Sequence, residues 1–434
     1  MENQIYTFAP MNNGYLSQYF EAVAAKTLSA VEINPNSSHQ HEFNGTKQLK
    51  NVLKTRSRTH FPTTFLWIEG QNEGLSCEEP VTWYDARENH PTRSEYRLYF
   101  PKNVVMSMAT EGDTMFIARR TDDTLLIIVT ASGSTIESQL FWLFGLEITN
   151  KSTFSSSMIE GQDHELDYAT RFILDELGIE VEEPEADQLD RLLLDFNGKF
   201  PPTSIFSAFT RTCFIGNIDP LGDPDSTLLA LMDWEEKLFR RLERHIISKR
   251  LKEGFDSGDD QDVDNFISFS LSVQNRRKSR AGYAFENHLT YILENNGVKF
   301  SRKIETENKA KPDFLFPNIA QYRDSSFPAN LLTMLGAKTT CKDRWRQVLT
   351  EAGRISEKHL LTLEPGISEN QTNEMKANQI QLILPSPLHT TFTSAQQLWL
   401  MNIKSFIQLV KERQNRGVNR MQPFRHSKVQ QPRL

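Results

Sequence analysis

Along the chain, short apolar runs recur between residues 63 and 146: FLWI, EYRLYF, DTMFIARR, TLLIIVT and QLFWLFGLEI, each set off by Gly, Asn, Asp, Pro or Ser. Runs of this length and punctuation predict strands, and so a mostly β N-terminal region. Upstream, KQLKNVLK predicts a lysine-rich helix. DYATRFILDELG predicts a short amphipathic helix with Tyr168, Phe172 and Leu174 opposite Asp175 and Glu176, ended by Gly178. The stretch 178–190 carries six acids and little to bury, the pattern of a solvated connector.

Beyond the connector the period changes. TLLALMDWEEKLFRRLERHIISKR places Leu228, Met232, Phe239, Leu242 and Ile246 on one helical stripe and Arg240, Arg241 and Arg244 on another face. DSGDDQDVDN reads as an acidic surface loop, and a cluster of Arg276, Arg277, Lys278 and Arg280 suits phosphates. SRAGYAFENHLTYILENNG predicts a helix with Ser279 as N-cap, Ala281, Phe285, Leu289 and Ile292 on its apolar stripe, and Gly297 at its end. VKFSRKIE, PDFLFP and NLLTMLGAKTT follow, then a helix from Asp343 to about Ile355, QLILP, and a long final helix from Ser394. Strands alternating with helices predict an α/β domain. The expected organisation is an N-terminal domain over 1–177, a linker over 178–190, an α/β domain over 191–415 and a basic tail over 416–434.

Composition adds bounds. A chain of 434 residues exceeds what one core organises, which agrees with two domains. Three cysteines without a C-x-x-C pair fit neither a disulfide framework nor a cysteine-rich zinc site. With no apolar run long enough to span a bilayer and no secretory pattern at the start, the expected setting is the cytoplasm, without membrane partners. The net charge of −7 disfavours a DNA-coating protein, but phosphate affinity depends on where the cations lie, and the segment from Lys411 is basic.

Three charged residues sit where burial makes charge costly. Asp313 opens the apolar run FLF, Lys338 ends NLLTMLGAK, and Glu351 lies in the expected helix near Val348, Leu349 and Ala352. Phosphodiester hydrolysis needs a divalent cation held by carboxylates, an acidified water, and positive charge on the transition state. Mg²⁺, with its preference for hard oxygen ligands and retained waters, suits such a set.

Pro312-Asp313, Lys338 25 residues later and Glu351 a further 13 along resemble the PD-(D/E)xK nuclease superfamily, and most closely its EcoRII-type restriction endonucleases and their CC-GG-cutting relatives. The usual acid two residues before the lysine is replaced by Gly336, and Glu351 matches the displaced acid of those relatives. The resemblance implies Lys342 as a second active-site lysine, Glu286 as an additional carboxylate able to hold metal, and Asp343, Arg344 and Arg346, with Arg276, as DNA contacts. Arginine donates twice to guanine and a carboxylate accepts from cytosine, which suits G·C pairs.

In the N-terminal half, SSHQHEFNG resembles the first recognition loop of the EcoRII effector-binding domain, a pseudobarrel; this implies His39, His41, Glu42 and Asn44 as DNA contacts. YDARENHPTRSEYRLYF resembles the second arm, with Arg87, Asn89, Arg93 and Arg97. Further implications are a homodimer on double-stranded DNA, an interrupted CC/GG target, an effector copy of the site, an N-terminal domain that covers the catalytic cleft, and a cognate DNA methyltransferase forming no stable complex. Competing readings are zinc at His39 and His41 with His60 or His90, a Tyr322 nucleophile, a DNA-binding regulator with an inactive nuclease-like half, and a structure-selective repair nuclease.

Overall fold

The computed structural model describes residues 14–33, 41–68, 74–147, 153–162, 164–181, 196, 199–214, 216–255 and 261–421. Its N-terminal part contains β1 (Phe20–Thr27), β2 (Glu42–Asn44), β3 (Thr59–Phe61), β4 (Thr63–Trp67), β5 (Leu75–Glu78), β6 (Val81–Asp85), β7 (Tyr96–Tyr99), β8 (Thr114–Arg120), β9 (Leu125–Thr130) and β10 (Ser155–Met158). These form a six-stranded sheet, β10-β1-β8-β9-β4-β5, and a four-stranded sheet, β2-β7-β6-β3.

Side-chain alternation divides each central strand between two cores. Ala22, Ala24, Met115, Ile117, Ile127 and Val129 join Phe43, Trp83 and Leu98 of the smaller sheet. Val23, Ala25, Phe116, Ala118 and Ile128 face helices α2 (Thr135–Leu143) and α3 (Tyr168–Glu176) on the other side. TLLIIVT is therefore apolar without a break because β9 is buried on both faces. Helix α1 (Lys47–Leu53) is N-capped by Thr46 and buries Leu49, Val52 and Leu53.

QLFWLFGLEI corrects the expectation of a strand: its first part ends α2. Ser134 accepts from the Glu137 N–H, and Ile136, Leu140 and Leu143 recur at helical spacing. The cap sequence Ser134-x-x-Glu137 was the available signal, since period alone does not separate a short buried helix from a strand.

The C-terminal part contains α4 (Thr203–Thr212), α5 (Pro224–Glu253), α6 (Gln261–Asn295), β11 (Ser301–Arg302), β12 (Phe314–Phe316), α7 (Ile319–Arg323), β13 (Thr333–Lys338), α8 (Trp345–Val348), β14 (Lys358–Thr362), α9 (Glu369–Ala377), β15 (Ile380–Ile383) and α10 (Ile403–Met421). One sheet, β11-β12-β13-β14-β15, is antiparallel through β13 and parallel from β13 to β15. Its core joins Phe285, Leu289 and Ile292 of α6, Phe314 and Phe316 of β12, Trp345 and Val348 of α8, and Phe406 and Val410 of α10. This is an α/β domain.

Several expected boundaries change. Gln261–Asn265, read as loop, is the first turn of α6, where Asp262 and Asp264 favour the positive end of the helix dipole. Ser279 is therefore inside a 35-residue helix and caps nothing. The basic cluster lies on that helix: Arg277 pairs with Glu243, and buried Arg280 with Glu235 and Glu236, so these two are structural ion pairs. The final helix is broken. After one turn at Ser394–Gln397 the chain joins the sheet edge, Met401 N–H donating to the Leu382 carbonyl, and α10 begins where Asp225 accepts from Ile403 and Lys404 N–H. Residues 416–421 continue α10. The linker beyond Val181 and the tail beyond Met421 lie outside the described residues.

Candidate active site

Asp313 precedes β12 and Lys338 closes β13. The antiparallel register, Phe314 opposite Leu335, brings the two side chains together. Asp313 Oδ2 accepts from the Ala337 N–H and the Lys338 ammonium, each at 2.8 Å. Asp313 is 7% exposed, so its charge is held inside the domain by these two donors.

Glu351 corrects the sequence reading. Helix α8 stops at Val348, Ala352 has φ of 48°, and Glu351 sits in the turn between them. A lysine absent from the sequence reading explains the stop. Lys358, the first residue of β14, is buried and donates its ammonium to the carbonyls of Glu351 and Ala352. Glu351 Oε2 is buried without a hydrogen-bond partner. Burial, reinforced by the Asp313 carboxylate, pushes the Glu351 carboxyl up to about 7, against the pull of Lys338 and Lys358.

Gly336 acquires a steric reason. A Cβ there would stand 2.8 Å from Val348 Cγ2 and 3.6 Å from Leu360 Cδ1. Helix α8 occupies the space that the usual acid would need, and the second carboxylate arrives three residues after Val348.

The remaining predicted residues spread further. Glu286, on α6, is buried and pairs with Arg302 Nη2 at 2.7 Å and Lys303 Nζ at 2.9 Å. Lys342 is exposed, its ammonium 3.4 Å from Glu176 Oε2 of α3. Arg344 is exposed and donates to Thr340 Oγ1. Exposed Arg346 pairs with Glu374 of α9 at 2.7 Å and lies over Trp345. Arg276 lies over the Phe200 ring, 4.4 Å to its centroid, beside the helical cluster of Phe206, Trp234 and Phe239. The Asp343 side chain lies outside the described residues. Tyr322 is on α7; its hydroxyl donates to Glu307 at 2.5 Å, and burial pushes its pKa up to about 12, which disfavours a nucleophilic role.

Glu307 and Arg354 were also missed by the sequence reading. Glu307 Oε2 accepts from the Gly353 N–H at 3.2 Å, while Arg354 donates to carbonyls after α7, Asp324 at 2.9 Å and Phe327 at 2.8 Å among them. Glu364, equally missed, is buried and accepts from the Cys341 N–H; burial pushes its carboxyl up to about 7.

In the N-terminal part, Glu42 accepts from the Tyr84 hydroxyl and from Arg97 Nη1 at 3.0 Å. Arg97 also pairs with Glu95, as does Arg87. The register β2-β7 sets Asn44 opposite Arg97. Glu42, Asn44 and Arg97 line a cavity of about 380 Å³ with Lys26, Glu32 and Phe154. His41 packs edge-on against Phe100, and Asn89 and Arg93 are exposed. His39 lies outside the described residues. For the zinc reading, His60 Nδ1 is engaged by Thr82 Oγ1 at 2.9 Å, and the described residues contain no group of three or more His, Cys, Asp or Glu placed to hold a metal.

The two parts are in direct contact. Gln139 Nε2 donates to the Pro365 carbonyl at 2.8 Å, Thr135 Oγ1 accepts from the Ser368 N–H at 3.2 Å and donates to Gln371 at 3.1 Å, and Trp142 and Tyr168 pack against the C-terminal core. Gln371 also donates to the Lys342 carbonyl at 2.6 Å.

A five-stranded mixed sheet with Asp313, Lys338 and Glu351 gathered at one end defines an α/β domain with a carboxylate–lysine site. Residues 239–407 match the family model described as EcoRII C terminal. The type II restriction enzyme EcoRII of Escherichia coli is 39% identical over 214 residues, 49% of this chain and 51% of the relative. The type II restriction enzyme SsoII of Shigella sonnei is 29% identical over 119 residues, 25% of this chain and 38% of the relative. The chain thus spans about half the length of EcoRII, and less of SsoII. A metal-depleted Ecl18kI in complex with uncleaved DNA overlaps 54% of this chain and 86% of its own at 20% identity, with a TM-score of 0.43. Among the described residues no helix is long and apolar enough to cross a membrane.

Proposed function

We propose that the protein is a type II restriction endonuclease that hydrolyses phosphodiesters of double-stranded DNA with Mg²⁺ at an interrupted CC/GG site. The observation that carries this reading is the convergence of Asp313, Lys338 and Glu351, with Glu351 replacing an acid that the packing of Val348 excludes at Gly336. The match of the surrounding segment to the EcoRII C-terminal family gives that geometry its chemical context.

The residues fit a hard divalent cation. Glu351 Oε2 is buried and unpartnered, and the neighbouring Asp313 carboxylate disfavours its ionised form, so a cation between them relieves both costs. Asp313 and Glu351 would hold the ion; Glu286, engaged by Arg302 and Lys303, would join them as an additional carboxylate only on release from those pairs. Mg²⁺ bound there supplies an acidified water and offsets phosphate charge. Lys338, whose Nζ lies 2.8 Å from Asp313 Oδ2, is placed to stabilise the charge that develops on the scissile phosphate, and Lys342 assists from the adjoining turn. Asp343, Arg344 and Arg346, in the same segment, read base edges. Arg276 contacts the DNA backbone.

Cutting both strands of a near-palindromic site requires two such sites about a two-fold axis, hence a homodimer. The N-terminal domain is read as a pseudobarrel that binds an effector copy of the site through the loops of His39, His41, Glu42 and Asn44 and of Arg87, Asn89, Arg93 and Arg97. Two sheets enclosing one core, and a charged cavity lined by Glu42, Asn44 and Arg97, support that reading. The contacts of Gln139 and Thr135 with the 365–371 segment, and of Glu176 with Lys342, support a restraint released when effector DNA favours the open arrangement.

Asp313→Ala is expected to abolish cleavage of unmethylated plasmid in Mg²⁺ while leaving site-specific binding in Ca²⁺. Cleavage by this variant at the wild-type rate would sink the assignment. Cutting confined to branched DNA would instead favour a repair nuclease, and binding without any cutting by the wild type a regulator.

A further inference from the structure

The turn from Glu351 to Arg354 is held through its backbone from three sides. Lys358 binds the carbonyls of Glu351 and Ala352, Glu307 binds the Gly353 N–H, and Arg354 reaches the carbonyls that follow α7. In the same turn Glu351 Oε2 is buried without a hydrogen-bond partner. Native proteins seldom leave a buried polar atom without a partner unless it has work to do.

Lys358 stands out among these clamps. It is 5% exposed at the head of the interior strand β14, where an ammonium is costly and an apolar side chain would fill the space. Alternation puts it on the same face of β14 as Leu360, the face on which Val348 packs over Gly336. An ammonium has three donors and no acceptor, so it can bridge two converging carbonyls, which a methionine or leucine cannot. Ala352, at φ of 48°, adopts a conformation unfavourable for a residue with a Cβ, and the bridge to its carbonyl sustains it.

We propose that Lys358 is a positioning residue for metal binding: it fixes the Glu351 turn through the backbone so that the Glu351 carboxylate meets Asp313 at a prearranged separation. The inference rests on the reading of Asp313 and Glu351 as the cation site. Lys358 itself touches neither substrate nor ion. Its contribution is that of the surrounding shell that orients ligands, where loss of one partner typically weakens metal affinity by about 10- to 100-fold.

The test is a Mn²⁺ titration of the full chain followed by electron paramagnetic resonance, with DNA affinity in Ca²⁺ and thermal melting measured alongside. Wild type is expected to bind Mn²⁺ and Asp313→Asn to lose it; equal binding by these two would overturn the cation site itself. Lys358→Met is expected to weaken Mn²⁺ binding at least about tenfold. In the Glu351→Gln background the same change is expected to add less than about twofold, because its effect passes through Glu351. Wild-type Mn²⁺ affinity in Lys358→Met, with Asp313→Asn still inactive in binding, overturns the inference and spares the site. An equal loss in both backgrounds overturns it too, by marking Lys358 as a general support of the fold. Should Lys358→Met lose its cooperative melt, Lys358→Gln decides: it keeps an N–H donor but is one bond too short to bridge both carbonyls. An affinity equal to wild type in that variant refutes the proposal.

Discussion

Replacing Gly336 with alanine tests the steric origin of the displaced carboxylate. The new Cβ would lie 2.8 Å from Val348 Cγ2, where ordinary contact begins near 3.4 Å, so α8 or β13 must yield by more than half an ångström. Val348 is fully buried and, being β-branched, has little rotamer freedom to turn aside. Overpacking of this kind costs about 1–3 kcal/mol. Gly336 is not among the positive-φ positions, so alanine gains back about 0.4–1 kcal/mol by restricting the unfolded chain. The net expectation is a loss of about 1–2 kcal/mol in urea denaturation, followed by Trp fluorescence, with buried Trp345 of α8 among the reporters. Because α8 leads directly into the Glu351 turn, the same shift should slow plasmid cleavage by about tenfold or more, given that an error near 1 Å costs about 100-fold. Val348→Ala removes the opposing methyls, so the double variant should be at least about 1 kcal/mol more stable than the two single losses added together. A Gly336→Ala protein with wild-type stability and cleavage, or strict additivity in the double variant, would refute the reasoning.

Three further outcomes are expected. Folding raises the Glu364 carboxyl from 4.5 to about 7, so the unfolded state ionises first as pH rises and stability falls between those values, by on the order of 3 kcal/mol. Glu364→Gln should flatten that part of the stability–pH curve, and an unchanged slope in urea melts would contradict it. Gln139→Ala combined with Thr135→Ala removes the side-chain bonds to Pro365, Ser368 and Gln371, and should raise cutting of single-site plasmids; an unchanged dependence on added effector sites counts against restraint by this contact. Arg344→Ala should relax discrimination among target bases by about 1–3 kcal/mol, read from competitive binding in Ca²⁺, and a uniform loss across all sequences would make Arg344 a phosphate contact instead.

How much of the site was legible follows from where its charges lie. Asp313 and Lys338 each interrupt or end an apolar run, a local conflict visible without coordinates. Lys358 presents the same conflict at the head of KHLLT, but with His359 beside it two polar residues open the strand, and β14 does not read as one. Both are buried in the structure, His359 with its pKa lowered to about 4 by burial and so neutral, packed beside Phe406. The α2 error has a different cause: five apolar residues in six positions satisfy both periods, and only the Ser134 cap separates them.

The sequence alone determined the division into a β-rich part and an α/β part, because burial on one or two faces writes periods of two and of 3.6 directly into residue order. It also marked Asp313 and Lys338 as charges placed where burial is costly, though not the buried Lys358 and Glu364. Tertiary structure decided the rest. The register of β12 on β13 joins Asp313 to Lys338, the contact of Val348 with Gly336 excludes an acid there, and the reach of Lys358 across the sheet face ends α8 and presents Glu351. Each depends on atoms from segments distant in the chain meeting within a few ångströms, and no local pattern of hydrophobic and polar residues encodes such a distance.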